Sequence, residues 1–324
     1  MIKKSPWRLM QWPLFFISLA VIVLLFNDSL DFLPIISDQL GRKIFWDIII
    51  VSTPLIFLLV PGIWRNICPV GLLSLFPDHY GFSMNKTPSH TTQSILFYIG
   101  LFILISFIPL RHFIHEGIVE ASLLLIVGLA AFISGTIYKG KSGWCIGLCP
   151  LLHVEKLYGM KPLTSFNNVL CNPCSHCATT CLDLKKNEGF SNYTNLKIME
   201  RVTVGGFPGF IWGWFQVPDY SYPIKWEHLL NAYFWPLSGL IISLMIYELL
   251  RKGIKEENYY FIQLLFSFIS ITSYYWYRLP EVLALNVSEG TLLFIVRGLI
   301  ILFFSWWFFL RPYTKSPWQR LSKS

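Results

Sequence analysis

The chain has 324 residues, of which 54% are hydrophobic and only 14% are charged, and its formal net charge is +8. Soluble globular domains carry about 25% charged residues, so this composition excludes an ordinary water-soluble fold. The sequence instead predicts an all-α polytopic membrane protein.

Apolar runs of about 20 residues, the length that crosses a bilayer, recur along the chain. Seven are clear, at residues 12–27, 44–63, 93–110, 118–137, 229–250, 259–277 and 291–310. No small-residue cleavage site follows the first run, so we expect an uncleaved signal anchor. An eighth run, 202–217, is short and contains several Gly and one Pro, so it either crosses the membrane or forms a re-entrant loop.

The distribution of Lys and Arg decides between these two topologies. If residues 202–217 cross, 20 of the 26 basic residues fall on one side of the membrane and 5 on the other. Such an excess marks the cytoplasmic side. We therefore predict about eight transmembrane helices in the inner (cytoplasmic) membrane, with both termini and all cysteine segments in the cytoplasm. Topology then explains the positive net charge, and no nucleic-acid partner is expected.

Three regions follow from this topology. Residues 1–137 hold membrane helices 1–4 and a Cys-Pro turn at Cys68, residues 138–201 form a cytoplasmic cysteine-rich segment, and residues 202–324 hold membrane helices 5–8 and a basic C-terminal tail. The lipid bilayer surrounds the first and third regions. The middle region is too short to build a stable core alone, so metal binding is expected to help it fold.

Four cysteines packed closely in the middle region carry the clearest chemical signal. They are Cys171, Cys174, Cys177 and Cys181. Their Cys-x2-Cys-x2-Cys-x3-Cys spacing is that of bacterial ferredoxins, so it predicts a ferredoxin-like loop that binds a [4Fe–4S] cluster. Zinc sites more often use two Cys-x2-Cys pairs that lie a dozen or more residues apart. Cytoplasmic thiols seldom form disulfides. Zinc and disulfides are therefore the weaker alternatives.

Three further cysteines, Cys68, Cys145 and Cys149, leave the number of clusters open. In one interpretation the whole run binds a single cluster. In the other, the first three cysteines of the run hold one cluster, and Cys181 joins Cys68, Cys145 and Cys149 around a second. That second cluster would lie where spans two and four reach the cytoplasmic surface, where a quinone headgroup can approach.

The two Cys-Pro elements, R-x2-C-P-x-G around Cys68 and W-C-x3-C-P ending at Cys149-Pro150, precede the ferredoxin-like run. Together they resemble the membrane-bound polyferredoxins of the NapH/NosR type, over about residues 44–185. The resemblance implies electron transfer between the quinone pool or a cytoplasmic donor and an extracytoplasmic redox partner. Trp64 stands where that family has the first Cys of its first element, and this chain has one complete run where the family commonly has two.

Several other polar residues are functional candidates. A membrane b-type haem needs two facing His, and none of the seven His lies deep in a predicted span, so b-type haem is not expected. Arg111 and His112 are expected at the membrane interface, with a quinone or partner contact as the alternative. His153 and Glu155 are expected to be solvated loop residues, with coupled proton transfer as the alternative. Arg297 either reaches the headgroups or pairs inside the bundle.

Three functions remain open from the sequence. The leading one is an electron-transfer subunit, rather than a stand-alone enzyme, that relays electrons between a quinone or cytoplasmic donor and redox partner proteins. The second is an assembly or metal-handling factor for a membrane redox enzyme. The third is a non-redox membrane protein whose cluster is structural or sensory.

Overall fold

A computed structural model describes residues 6–33, 39–61, 64, 67–114, 116–163, 201–221, 223–255, 258–284 and 290–312 of the chain. Within these ranges the regular elements are all helical and no β-strand occurs. The predicted all-α class is therefore confirmed for this part of the chain. The ferredoxin-like run, Cys171–Cys181, lies outside the described residues.

The α-helices are numbered here in chain order. They are α1 (Pro6–Leu30), α2 (Leu40–Lys43), α3 (Ile50–Leu59), α4 (Pro69–His79), α5 (His90–Leu110), α6 (Gly117–Ile137), α7 (Leu151–Tyr158), α8 (Phe207–Trp214), α9 (Trp226–Gly253), α10 (Tyr259–Val282) and α11 (Gly290–Ser305). Within the described ranges, four π-helical segments connect or extend them: Ile44–Ile49, Trp144–Leu148, Val202–Gly206 and Trp306–Leu310. Such π-turns often occur at functional sites, and Trp144–Leu148 contains Cys145.

Five helical stretches in the described residues are long and apolar enough to cross a membrane. They are Met10–Leu30, Thr91–Phe113, Gly117–Ile137, Trp226–Gly253 and Gly290–Leu310. Each contains one of the predicted spans. The other three predicted spans are not among these stretches: 44–63 divides into a π segment and the short α3, 259–277 lies in the continuous helix α10 with its polar side chains, and 202–217 forms a short two-part helix. The count of eight crossings therefore stays a prediction.

Polar contacts distinguish two ends of the helix bundle. At one end, which we call the thiol end because it carries Cys68, Cys145 and Cys149, the contacts are Met84 N–Thr136 O (2.7 Å), Leu163 N–Leu59 O (2.7 Å) and Gln93 Nε2–Ile146 O (3.0 Å). At the opposite end, which we call the polar end, they are Arg42–Glu120 (3.4 Å), Arg278–Asp47 (2.8 Å) and His112–Asp219 (2.8 Å). Each set joins segments that the charge distribution places on one side of the membrane.

The glycine-rich segment that the sequence left ambiguous runs antiparallel to α9. The Ser243 hydroxyl donates to the Gly205 carbonyl at 2.6 Å, and one turn further along Gly209 faces Gly239. Residues without side chains allow two helix backbones to approach this closely. The glycine-rich segment therefore packs directly against α9.

The main core contains buried side chains from α3, α5 and every helix from α7 to α11. Phe57, Phe210 and Phe308 are among its fully buried members. The short helix α7 belongs to this core, because the Tyr158 hydroxyl lies 3.0 Å from the Ser270 hydroxyl of α10. Packing of α7 thereby fixes the Cys-Pro turn that begins it within the thiol end of the bundle.

Candidate functional site

Cys68 lies directly before the first turn of α4. Its backbone is extended (φ −54°, ψ 121°), and Pro69 occupies the first helical position. A proline there loses no hydrogen bond, since the first amides of a helix have no partner within it. In this geometry the backbone amides of Val70 and Gly71 lower the Cys68 pKa and so favour its thiolate. The helix N-terminus therefore favours a thiolate at this position.

Cys149 repeats the same arrangement before α7. It follows the π segment Trp144–Leu148 with an extended backbone (φ −65°, ψ 115°), and Pro150 leads into the helix. The backbone amides of Leu151 and Leu152 act to lower the pKa of its thiol. Two separate helices thus direct their first amides at a cysteine sulfur.

Cys68 and Cys145 approach each other beside Gly71. A Cβ atom on Gly71 would lie 3.6 Å from the Cys145 sulfur and 4.0 Å from the Cys68 sulfur, so both sulfurs border this one position. The charges of Cys145 and Cys68 act to raise the Cys149 pKa, so Cys149 lies near both of them. Cysteines that are far apart in the sequence are therefore brought together at the thiol end.

Burial controls the protonation of these thiols. It raises the pKa of Cys68 and raises the pKa of Cys149 well above its usual value, and for Cys149 the neighbouring Cys145 and Cys68 charges add to the increase. The charge of Lys141 lowers the Cys68 pKa and that of Glu155 raises it. Three thiolates would repel one another here, so a positive charge close to them would favour their joint ionisation.

The donor chemistry of this site suits an iron–sulfur cluster or a soft metal ion. Among the described residues, however, no group of three or more His, Cys, Asp or Glu side chains is arranged to hold a metal ion. The remaining predicted ligands lie outside the described part of the chain: Cys171, Cys174, Cys177 and Cys181. The cluster prediction therefore continues to rest on cysteine spacing.

His153 and Glu155 are buried side chains of α7, and the expectation that they are solvated loop residues is wrong. They are 1% and 4% exposed. The centre of the His153 ring lies 4.2 Å from the centre of the Phe97 ring. Neither ring nitrogen of His153 makes a hydrogen bond of normal geometry within the described residues. Burial and the charge of Lys156, opposed in part by the Phe97 backbone, lower the His153 pKa to about 3.

The polar end also differs from the sequence prediction. His112 is only 3% exposed, and its Nδ1 lies 2.8 Å from Asp219, so its side chain pairs within the protein and does not extend toward headgroups. The Arg111 guanidinium lies 4.3 Å from the Trp46 ring centre, and the Trp46 indole donates to Glu120 at 2.8 Å. Glu120 and Trp46 were not predicted to interact. A carboxylate in the first turn of an apolar span is the signal that could have identified this network.

Comparison with known proteins finds no matching family profile, no matching curated protein and no matching solved structure. The functional conclusion therefore depends on the residues of this chain and on the resemblance of its cysteine elements.

Proposed function

We propose that this chain is a membrane-bound iron–sulfur protein that transfers electrons, similar in function to the polyferredoxins that its Cys-Pro elements resemble. The observation that carries the proposal is the combination of a ferredoxin-type cysteine run with three further cysteines gathered at one end of the helix bundle. Cytoplasmic thiols of this number and spacing are typical of cluster ligands.

In this proposal Cys171, Cys174 and Cys177 hold one [4Fe–4S] cluster, and Cys181 either completes it or joins the three cysteines of the thiol end. A bound cluster supplies one-electron redox chemistry. The chain supplies the amides at the starts of α4 and α7, which stabilise negative charge on the sulfurs of Cys68 and Cys149. Hydrogen bonds to cluster sulfurs are one of the means by which proteins set a reduction potential.

The same proposal places the thiol end in the cytoplasm and gives the chain eight crossings. The excess of basic residues supports this orientation, and so do the contacts that keep predicted inner and outer segments at different ends of the bundle. Electrons would then enter from a quinone or a cytoplasmic donor and leave to a redox partner protein.

The proposal is tested with protein purified anaerobically from iron-replete cells. We expect a brown protein that contains about four or about eight irons per chain and gives a low-temperature EPR signal of a reduced [4Fe–4S] cluster. Cys174→Ser should remove the signal of the cluster held by the run. Thr179→Ser, at a non-ligand position of the same run, is the matched control and should keep it. Stoichiometric zinc without iron would refute the proposal.

The double variant Cys68→Ser/Cys149→Ser distinguishes one cluster from two. If the thiol end binds the second cluster, iron should fall from about eight to about four per chain while one cluster signal persists. An unchanged iron content would leave a single cluster that is bound by the run alone.

A further inference from the structure

A single charged side chain lies on the otherwise uncharged helix α11. It is Arg297, and its guanidinium carbon lies 4.8 Å from the ring centre of Trp276 on α10. Charged side chains within membrane helices are costly, and they mark functional or structural sites when they occur. The aromatic ring stabilises the cation only in part, because it removes no charge and accepts no conventional hydrogen bond.

Two polar atoms at this position lack hydrogen-bond partners among the described residues. They are Nε of Arg297 and Oγ1 of Thr272, and both atoms are buried. Thr272 precedes Trp276 by four residues, so the two side chains lie on the same face of α10, one turn apart. A buried polar group without a partner is destabilising. A ligand with hydrogen-bond acceptors would therefore stabilise this site.

This site is accessible from the outer surface of the bundle. Arg297, Trp276 and Thr272 are all partly exposed. Beside them, a Cβ atom on Gly298 would meet no other atom within 4 Å, so space is open next to Arg297. An occupant can approach the exposed parts of these side chains from the surrounding lipid.

The polar groups of the site lie at two depths, as the phosphate and the ester carbonyls of a phospholipid do. Trp276 lies two residues before Arg278, which pairs with Asp47 at the polar end at 2.8 Å. Tryptophan at this level is typical of the membrane–water interface. Thr272 lies one helical turn, about 5.4 Å, further from the polar end. In a phospholipid the ester carbonyls likewise lie deeper than the phosphate.

We propose that Arg297, Trp276 and Thr272 form a binding site for an anionic phospholipid. The Arg297 guanidinium donates to the phosphate, a pairing for which its planar fork is suited. The Thr272 hydroxyl donates to an ester carbonyl, and an acyl chain occupies the space beside Gly298. The lipid is anionic because no carboxylate in the described residues neutralises Arg297. This site is independent of the proposed electron transfer.

The test is a titration of the full-length protein in detergent with phosphatidylglycerol, followed by thermal unfolding and by native mass spectrometry. We expect saturable stabilisation and bound lipid in the wild type. Arg297→Gln should weaken binding about tenfold or more, and Thr272→Val about two- to tenfold, as expected for loss of a charged and a neutral hydrogen bond. Lys225→Gln is the matched control, because it removes an exposed cation near the polar end, and it should bind like the wild type.

Two further arms identify the ligand. Phosphatidylcholine should bind more weakly than phosphatidylglycerol, and inorganic phosphate at the same concentration should not stabilise the protein. Equal stabilisation by inorganic phosphate, or wild-type affinity in Arg297→Gln, overturns the proposal. If Arg297→Gln does not fold, Arg297→Lys is measured in its place. Lysine keeps the positive charge but lacks the planar guanidinium with its paired hydrogen-bond donors. Reduced affinity in Arg297→Lys supports the lipid site, and unchanged affinity overturns it.

Discussion

Proline determines the local geometry at Cys68 and Cys149. It disfavours the helical conformation for the residue before it and favours the start of a helix after it. An extended cysteine followed by a helix N-terminus is therefore predictable from each Cys-Pro pair. The meeting of the two turns is not predictable, because it depends on how α7 packs into the core.

The buried imidazole of His153 predicts a specific pH dependence of stability. Its pKa is about 3 in the folded protein against an ordinary value of 6.5. Above pH 6.5 both the folded and the unfolded states hold the ring neutral. As the pH falls below 6.5, the unfolded state takes up a proton that the folded state does not, so the free energy of unfolding decreases by about 1.4 kcal/mol per pH unit.

His153→Leu should therefore flatten the fall in thermal unfolding temperature between pH 7 and pH 5, measured in detergent. The exposed His79 provides the control, because His79→Gln should leave the slope of the wild type unchanged. An identical slope in the wild type and in His153→Leu would show that the imidazole titrates normally in the folded protein.

At the scale of elements, long apolar runs were predictable and short packed helices were not. The five stretches that can cross a membrane were all recognisable from composition. Helix α7 begins with a Cys-Pro turn and carries polar residues such as His153 and Glu155, so its sequence is typical of a solvated segment. Its burial is a property of the surrounding helices, which no local pattern encodes.

The close contact between α8 and α9 predicts that Gly209 does not tolerate a side chain. A Cβ atom there would collide with the Gly239 carbonyl oxygen and lie 2.6 Å from the Ser243 Cβ. Overpacking of this kind typically costs about 1–3 kcal/mol. Gly209→Ala should therefore lower the unfolding temperature in detergent. Gly253→Ala is the matched control, because a Cβ atom there meets nothing within 4 Å. Equal stability of the two variants would contradict the packing described here.

At the scale of the whole molecule, the path of residues 202–217 decides the topology. The segment Val202–Gly206 contacts α7 at the thiol end, and Asp219, which follows the segment, bonds to His112 at the polar end. The chain therefore passes from one end of the bundle to the other. Reporter fusions after Lys4, Lys186 and Ser316 should accordingly score cytoplasmic, and a fusion after Asp219 should score external.

This segment is short for a membrane crossing, but protein surrounds it. The thirteen helical residues Val202–Trp214 rise only about 20 Å, less than the hydrocarbon thickness of about 30 Å. However, Val204, Phe207, Phe210 and Ile211 are buried within the protein. A short or irregular segment is tolerated at membrane depth where protein rather than lipid surrounds it. A cytoplasmic Asp219 fusion together with an external C-terminal tail would instead make residues 202–217 re-entrant and refute the eight-crossing topology.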